Sequence, residues 1–190
     1  AWDIETSKDL FLNVYRTNGI NDPKVFREEV ATTLIIGSVQ SGMEFVDYLE
    51  SRGDTALALS VTDDMIESFP EFWQSYTRMA KIRGFSKAET DSMYEAYFKY
   101  IDKLIAFNPD NIYYYQYKAL ALQYLGRGTE AIHYSELAYN IDPVSPVAFR
   151  AIVSLYIQNG RREDAVRVAR EYLKTNLGDP AARSISSGQF

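Results

Sequence analysis

The 190 residues carry 46 % hydrophobic and 24 % charged side chains, a composition that builds one packed core and excludes a disordered chain. Cysteine is absent, which removes disulfides, thiolate metal sites and cysteine nucleophiles. A net charge of −6 disfavours nucleic acid, and no run approaches the roughly 18 apolar residues of a spanning helix, so no direct membrane insertion is expected.

In chain order, residues 1–38 read as N-terminal capping helices. Leu10, Phe11, Val14 and Tyr15 mark a short amphipathic helix, and Asn18-Gly19 a turn. Asp22-Pro23 then starts a second helix by cap and first-turn proline, which continues into the first repeat unit. That unit places a first helix over Met43 to Glu50, a turn at Gly53 and a second helix over Asp54 to Ser68. The next opens at Trp73 and turns at Arg83-Gly84-Phe85. It continues through the capping box Ser86-x-x-Glu89 into a helix of about 20 residues, with Tyr94, Tyr97, Phe98, Ile101, Leu104 and Ile105 on its apolar side.

From Ile112 onward the spacing becomes regular. Gly160 follows Gly126 by 34 residues, Ala165 follows Ala131, Phe149 follows Tyr115, and Pro143 follows Pro109. The residue types match the demands of a helical hairpin. A large aromatic fills the space between paired helices, and a glycine ends the first helix in a left-handed turn. Small alanines (Ala131, Ala138, Ala165, Ala169) let the second helix approach closely, and the prolines are expected at first helical positions. Asp179-Pro180 is expected to cap a last turn, followed by a frayed tail from Ser184 to Gln189.

On these residues, most clearly across 110–175, the chain resembles the tetratricopeptide (TPR) repeat superfamily. The resemblance implies an all-α solenoid of about four helical hairpins over 39–177, with a C-terminal turn and tail at 178–190. It departs from the usual pattern at Lys118, where leucine is customary, and at Ser135 and Ala169, where an aromatic is customary.

No catalytic constellation is present, and no enzyme activity, cofactor or metal is expected. His133 is the one histidine, with no ligand partner at i±4, and no phosphate-loop, dinucleotide or zinc motif occurs. Arg52-Gly53-Asp54 spells an adhesion tripeptide, yet its glycine is the hairpin's own turn residue. Tyrosine is the informative feature: there are 15, four of them within Tyr113-Tyr114-Tyr115-Gln116-Tyr117.

On that helix Tyr115, Ala119 and Leu122 form the packing stripe. A second stripe, Tyr113, Tyr117, Leu120 and Tyr124, has no part in the hairpin's own packing. TPR first helices line a concave groove, so the stripe either faces that groove, packs on a neighbouring first helix or is covered by a terminal segment. Gln116, Gln123, Arg150, Ser154 and Gln158 are expected to flank it, with Gln74 and Arg78 from the preceding unit. Tyrosine's large area, low entropy cost and polar tip suit recognition. The clamp that TPR domains use for C-terminal carboxylates is not expected, because its positions hold Gln116 and Leu120.

The leading functional expectation is therefore a scaffold for a protein or peptide partner. A second resemblance opens an alternative. Asp9-Leu10-Phe11, followed by the run from Val14 to Phe26, is similar to the segment that joins the last membrane helix to a TPR tail in bacterial multi-pass proteins akin to O-mannosyltransferases. It implies an extracytoplasmic accessory domain attached to an upstream membrane part and contacting acceptor polypeptide or glycan; without it, a cytoplasmic scaffold is the alternative. The opening Ala1 in place of Met fits a processed chain or a piece of a longer one.

Overall fold

The computed structural model describes residues 3–9 and 29–190, with side chains from residue 35 onward in the second stretch. Its elements are α1 (Ile4–Asp9), α2 (Glu29–Arg52), α3 (Thr55–Ser68), α4 (Trp73–Arg83) and α5 (Lys87–Phe107). They continue as α6 (Ile112–Tyr124), α7 (Gly128–Ile141), α8 (Pro146–Gln158), α9 (Arg162–Tyr172) and α10 (Pro180–Ser186). Among the described residues there is no strand. The expected helix at Leu10, Phe11, Val14 and Tyr15, the turn at Asn18-Gly19, the start at Asp22-Pro23 and the leader resemblance beyond Asp9 lie outside the described residues.

The hairpin turn is one device used repeatedly. At Gly126 (φ 76°) the glycine N–H donates to the Gln123 carbonyl at 3.0 Å and the Arg127 N–H to Leu122 at 2.9 Å. At Gly160 (φ 76°) the matching bonds reach Ile157 at 3.1 Å and Tyr156 at 2.7 Å. This pair of bonds closes the carbonyls left open at the helix end, and its positive φ is what selects glycine. Gly53 and Gly84 repeat the pattern. Behind each turn the alanines sit at the seam: Ala131, Ala138, Ala165 and Ala169 are all fully buried. Turn, spacing and packing are those of the tetratricopeptide helix–turn–helix unit.

The prolines occupy a different place from the one expected. Pro70, Pro109 and Pro143 precede their helices and sit second in tight turns. These turns are closed by Phe72 N–H to Phe69 (3.2 Å), Asn111 N–H to Asn108 (3.2 Å) and Ser145 N–H to Asp142 (3.2 Å). Proline's fixed φ suits that turn position as well as it suits a helix start, so residue type alone does not separate the two. First-turn prolines do occur, at Pro146 and Pro180.

The capping box forms as expected. The Ser86 N–H donates to the Glu89 carboxylate at 2.8 Å and the Glu89 N–H donates to Ser86 Oγ at 3.3 Å. The helix it starts has 21 residues and buries Tyr94, Tyr97, Phe98, Ile101 and Leu104. Length suggested a single core. The chain divides instead into two compact units, 1–100 and 101–190, with the boundary inside α5. Repeat architectures divide this way because each helix packs mainly on its neighbours in sequence.

Three irregular positions in the second unit resolve individually. Lys118, in the customary leucine position, is buried; its ammonium pairs with Asp102 at 2.5 Å and lies 4.3 Å from the Tyr134 ring centre. Ala169 leaves an aromatic position empty, and Tyr172 fills it one turn later, stacked on Phe149 at 4.0 Å and 7°. Ser135 is fully buried and its Oγ has no hydrogen-bond partner. The expected frayed tail is also corrected. Ser184 to Ser186 belong to α10, which Asp179 caps through the Ala182 N–H at 2.9 Å and which buries Ala182 against α9.

Candidate functional site

Two faces of α6 separate cleanly. Tyr115, Ala119 and Leu122 are buried, and the Tyr115 hydroxyl donates to the Pro109 carbonyl at 2.9 Å. On the other face Tyr113, Leu120 and Tyr124 stay 44 %, 43 % and 49 % exposed, and Tyr117 is half-buried between them. One repeat later the equivalent positions on α8 are Val147, Ala151, Ser154 and Gln158. Val147 is 43 % exposed, and Ser154 and Gln158 are also exposed. The stripe thus continues across α6 and α8, large and apolar on the first helix and smaller on the second.

At the turn end of this face the amides are chained. Asn159 Nδ2 donates to Gln123 Oε1 at 3.1 Å, Gln123 Nε2 to Gln158 Oε1 at 3.3 Å, and Gln158 Nε2 to Ser154 Oγ at 3.0 Å. Asn159 is tied further to the Leu155 carbonyl at 2.8 Å. The chain fixes α8 against α6 through four neutral side chains. Sequence reasoning named Gln123, Ser154 and Gln158 but missed Asn159 and Val147. The 34-residue step from Tyr113 points to Val147; nothing local marks Asn159.

Two expected flanking residues are placed differently. Gln116 is only 7 % exposed and so does not border the open face; its Nε2 has no hydrogen-bond partner. It lies on the edge of α6 that also carries Gln123, two turns away, and Gln123 contacts α8. Adjacent side chains three and four positions away are Tyr113 and Leu120. Arg78 belongs to the first unit and is no free groove cation. Its guanidinium pairs with Asp47 and, at 2.7 Å, with Glu50, which also accepts from Lys81 at 3.0 Å. Burial pushes the Glu50 carboxyl up, but the bonds from Lys81 and Arg78 outweigh it and hold the group below the ordinary carboxylate range. Gln74, also on α4, is exposed.

The charge on the α6–α8 face is sparse. Arg150 is exposed and pairs with no carboxylate among the described residues. Elsewhere in the second unit the arginines are engaged: Arg127 with Glu130 at 2.7 Å, Arg161 and Arg167 with Asp164 at 2.7 and 2.9 Å. His133 is exposed beside the Tyr134 ring, and no group of three or more metal-ligating side chains occurs among the described residues. The Asp54 carboxylate of the adhesion-like tripeptide accepts from the Leu57 N–H at 3.2 Å, capping α3. No described helix is long and apolar enough to cross a membrane.

No protein-family model and no curated protein matches the chain. Among solved structures it is similar to TTC0263, a thermophilic TPR protein of Thermus thermophilus, at 16 % identity and TM-score 0.46, covering 96 % of this chain and 97 % of that one. It is similar to MamA at 14 % identity and TM-score 0.41, with 77 % of each chain covered. A third is YrrB, described as a TPR protein with an unusual peptide-binding site, at 15 % identity and TM-score 0.39, covering 77 % of this chain and 90 % of that one.

Proposed function

We propose that the second unit is a non-catalytic interaction module that holds a peptide segment of a partner protein across α6 and α8. One observation carries the reading: Tyr113, Leu120 and Tyr124 stay 44 %, 43 % and 49 % exposed on one face of α6, apart from the buried Tyr115, Ala119 and Leu122. Large aromatics left exposed in a row are costly unless something covers them, and aromatic anchors commonly hold most of an interface's energy. Val147 extends the apolar surface to the next first helix, and the amide chain from Asn159 to Ser154 keeps the two helices in register.

The test is paired. Tyr117→Ala and Tyr124→Ala are compared with the parent for melting temperature and for binding to a partner recovered by pulldown. The expected result is a loss of roughly 2 kcal/mol or more in binding with the fold intact. A large drop in melting temperature, or unchanged binding, places the partner surface elsewhere.

A further inference from the structure

We infer that the segment held across α6 and α8 is uncharged and proline-rich, bound as an extended left-handed helix; this rests on the peptide-holding reading above. The first argument is charge. The face made by Tyr113, Tyr117, Leu120, Tyr124, Val147, Ser154 and Gln158 carries no ionisable side chain other than tyrosine phenols, in a chain of net charge −6. Arg150 at its border disfavours a basic segment. An acidic segment would meet one counter-charge and otherwise lose hydration against aromatic rings. A neutral occupant is the complementary one.

The second argument is the balance of donors and acceptors. The face offers phenol hydroxyls and carboxamides, and beneath its edge the Gln116 Nε2 is buried without an acceptor. A buried donor without a partner is costly, and a ligand carbonyl relieves that cost. A carbonyl that reaches this donor would have to pass Tyr113 and Leu120, the exposed neighbours at i−3 and i+4 on α6. Proline-rich backbone is rich in carbonyls and poor in N–H groups, so it supplies what this face lacks and demands little in return.

Geometry is the third argument. A polyproline helix repeats every three residues, roughly 9 Å, and Tyr117 and Tyr124 stand seven residues apart on α6, roughly 10 Å along its axis. A segment laid along α6, in the angle between it and α8, therefore sets successive exposed prolines against successive rings, and it enters with its conformation already fixed.

The probes are an oligoproline peptide of about twelve residues, close to 37 Å long in this conformation, and a glycine–serine peptide of equal length. Both are titrated calorimetrically into the whole chain. Saturable binding of oligoproline alone is expected. Tyr117→Ala should weaken it about tenfold or more. Gln116→Met, which keeps the volume and removes the unpaired donor, should weaken it several-fold with the melting temperature unchanged or raised. Failure of oligoproline to bind, or binding that ignores both substitutions, overturns the inference. A random-peptide display selection on the same chain separates the two readings. Proline-free binders that need Tyr117 sink the proline preference and leave the groove standing, whereas the absence of any Tyr117-dependent binder sinks both.

Discussion

Gly128 opens α7, and a methyl group there would stand 2.0 Å from Asn159 Oδ1 and 3.0 Å from its Cγ. Gly128→Ala must therefore expel the Asn159 carboxamide, which donates to Leu155 at 2.8 Å and to Gln123 at 3.1 Å. Two hydrogen bonds of this kind contribute about 1 kcal/mol each, so about 2 kcal/mol is lost. Replacing glycine in a helix returns about 0.4–1 kcal/mol by restricting the unfolded chain. The net expectation is destabilisation by about 1 kcal/mol. In an Asn159→Ala background the obstacle is gone, and the same Gly128→Ala change should stabilise by about 0.4–1 kcal/mol. The sign reverses, and the coupling is about 2 kcal/mol. Urea unfolding of the four proteins, followed by helical circular dichroism, measures it. The same sign in both backgrounds, with coupling within about 0.5 kcal/mol of zero, would refute the reasoning.

High pH should unfold the chain through two phenols. Burial, reinforced by Glu71, pushes Tyr76 up to about 12, and burial with the Glu136 hydrogen bond pushes Tyr156 up to about 12. Free tyrosine ionises near 10, so the folded state holds these protons longer. Their stabilising contribution is complete below about pH 10 and is lost as pH rises towards 12. Phenolate absorbance should show a late phase coincident with unfolding; ionisation of all 15 tyrosines near pH 10 with helicity intact would contradict this. Lys118→Leu should raise the melting temperature, by about 1 kcal/mol of stability. The ammonium side chain is 8 % exposed while Asp102 is 54 % exposed and stays hydrated once its partner is removed. A fall in melting temperature would show that the ion pair outweighs its desolvation.

Features with a single backbone or steric solution were legible. A positive-φ turn selects glycine, and close helix approach selects alanine, so Gly126, Gly160, Ala131 and Ala165 marked the hairpins by spacing alone. Pro143 was misplaced because proline is equally at home in a tight turn and in a first helical turn. Helical angle predicted which residues share the Tyr113 stripe. It could not predict depth, and nothing local marks Gln116 as buried. Arg78 depends on Asp47 and Glu50, about 30 residues upstream, and no periodicity announces that pairing. The C-terminal helix was readable after all, since Pro180 stands 34 residues beyond Pro146; the small residues that follow it read more readily as a tail.

From α6 to α10 each helix packs chiefly on its neighbour in sequence, with α6 and α8 also touching. A tensile load drawn along the chain therefore meets one seam at a time, peeling helices apart instead of shearing many contacts together. Each 34-residue hairpin that yields releases roughly 110–120 Å of slack. Under load these helices should part in short steps at modest force, and each hairpin should close again as the force relaxes.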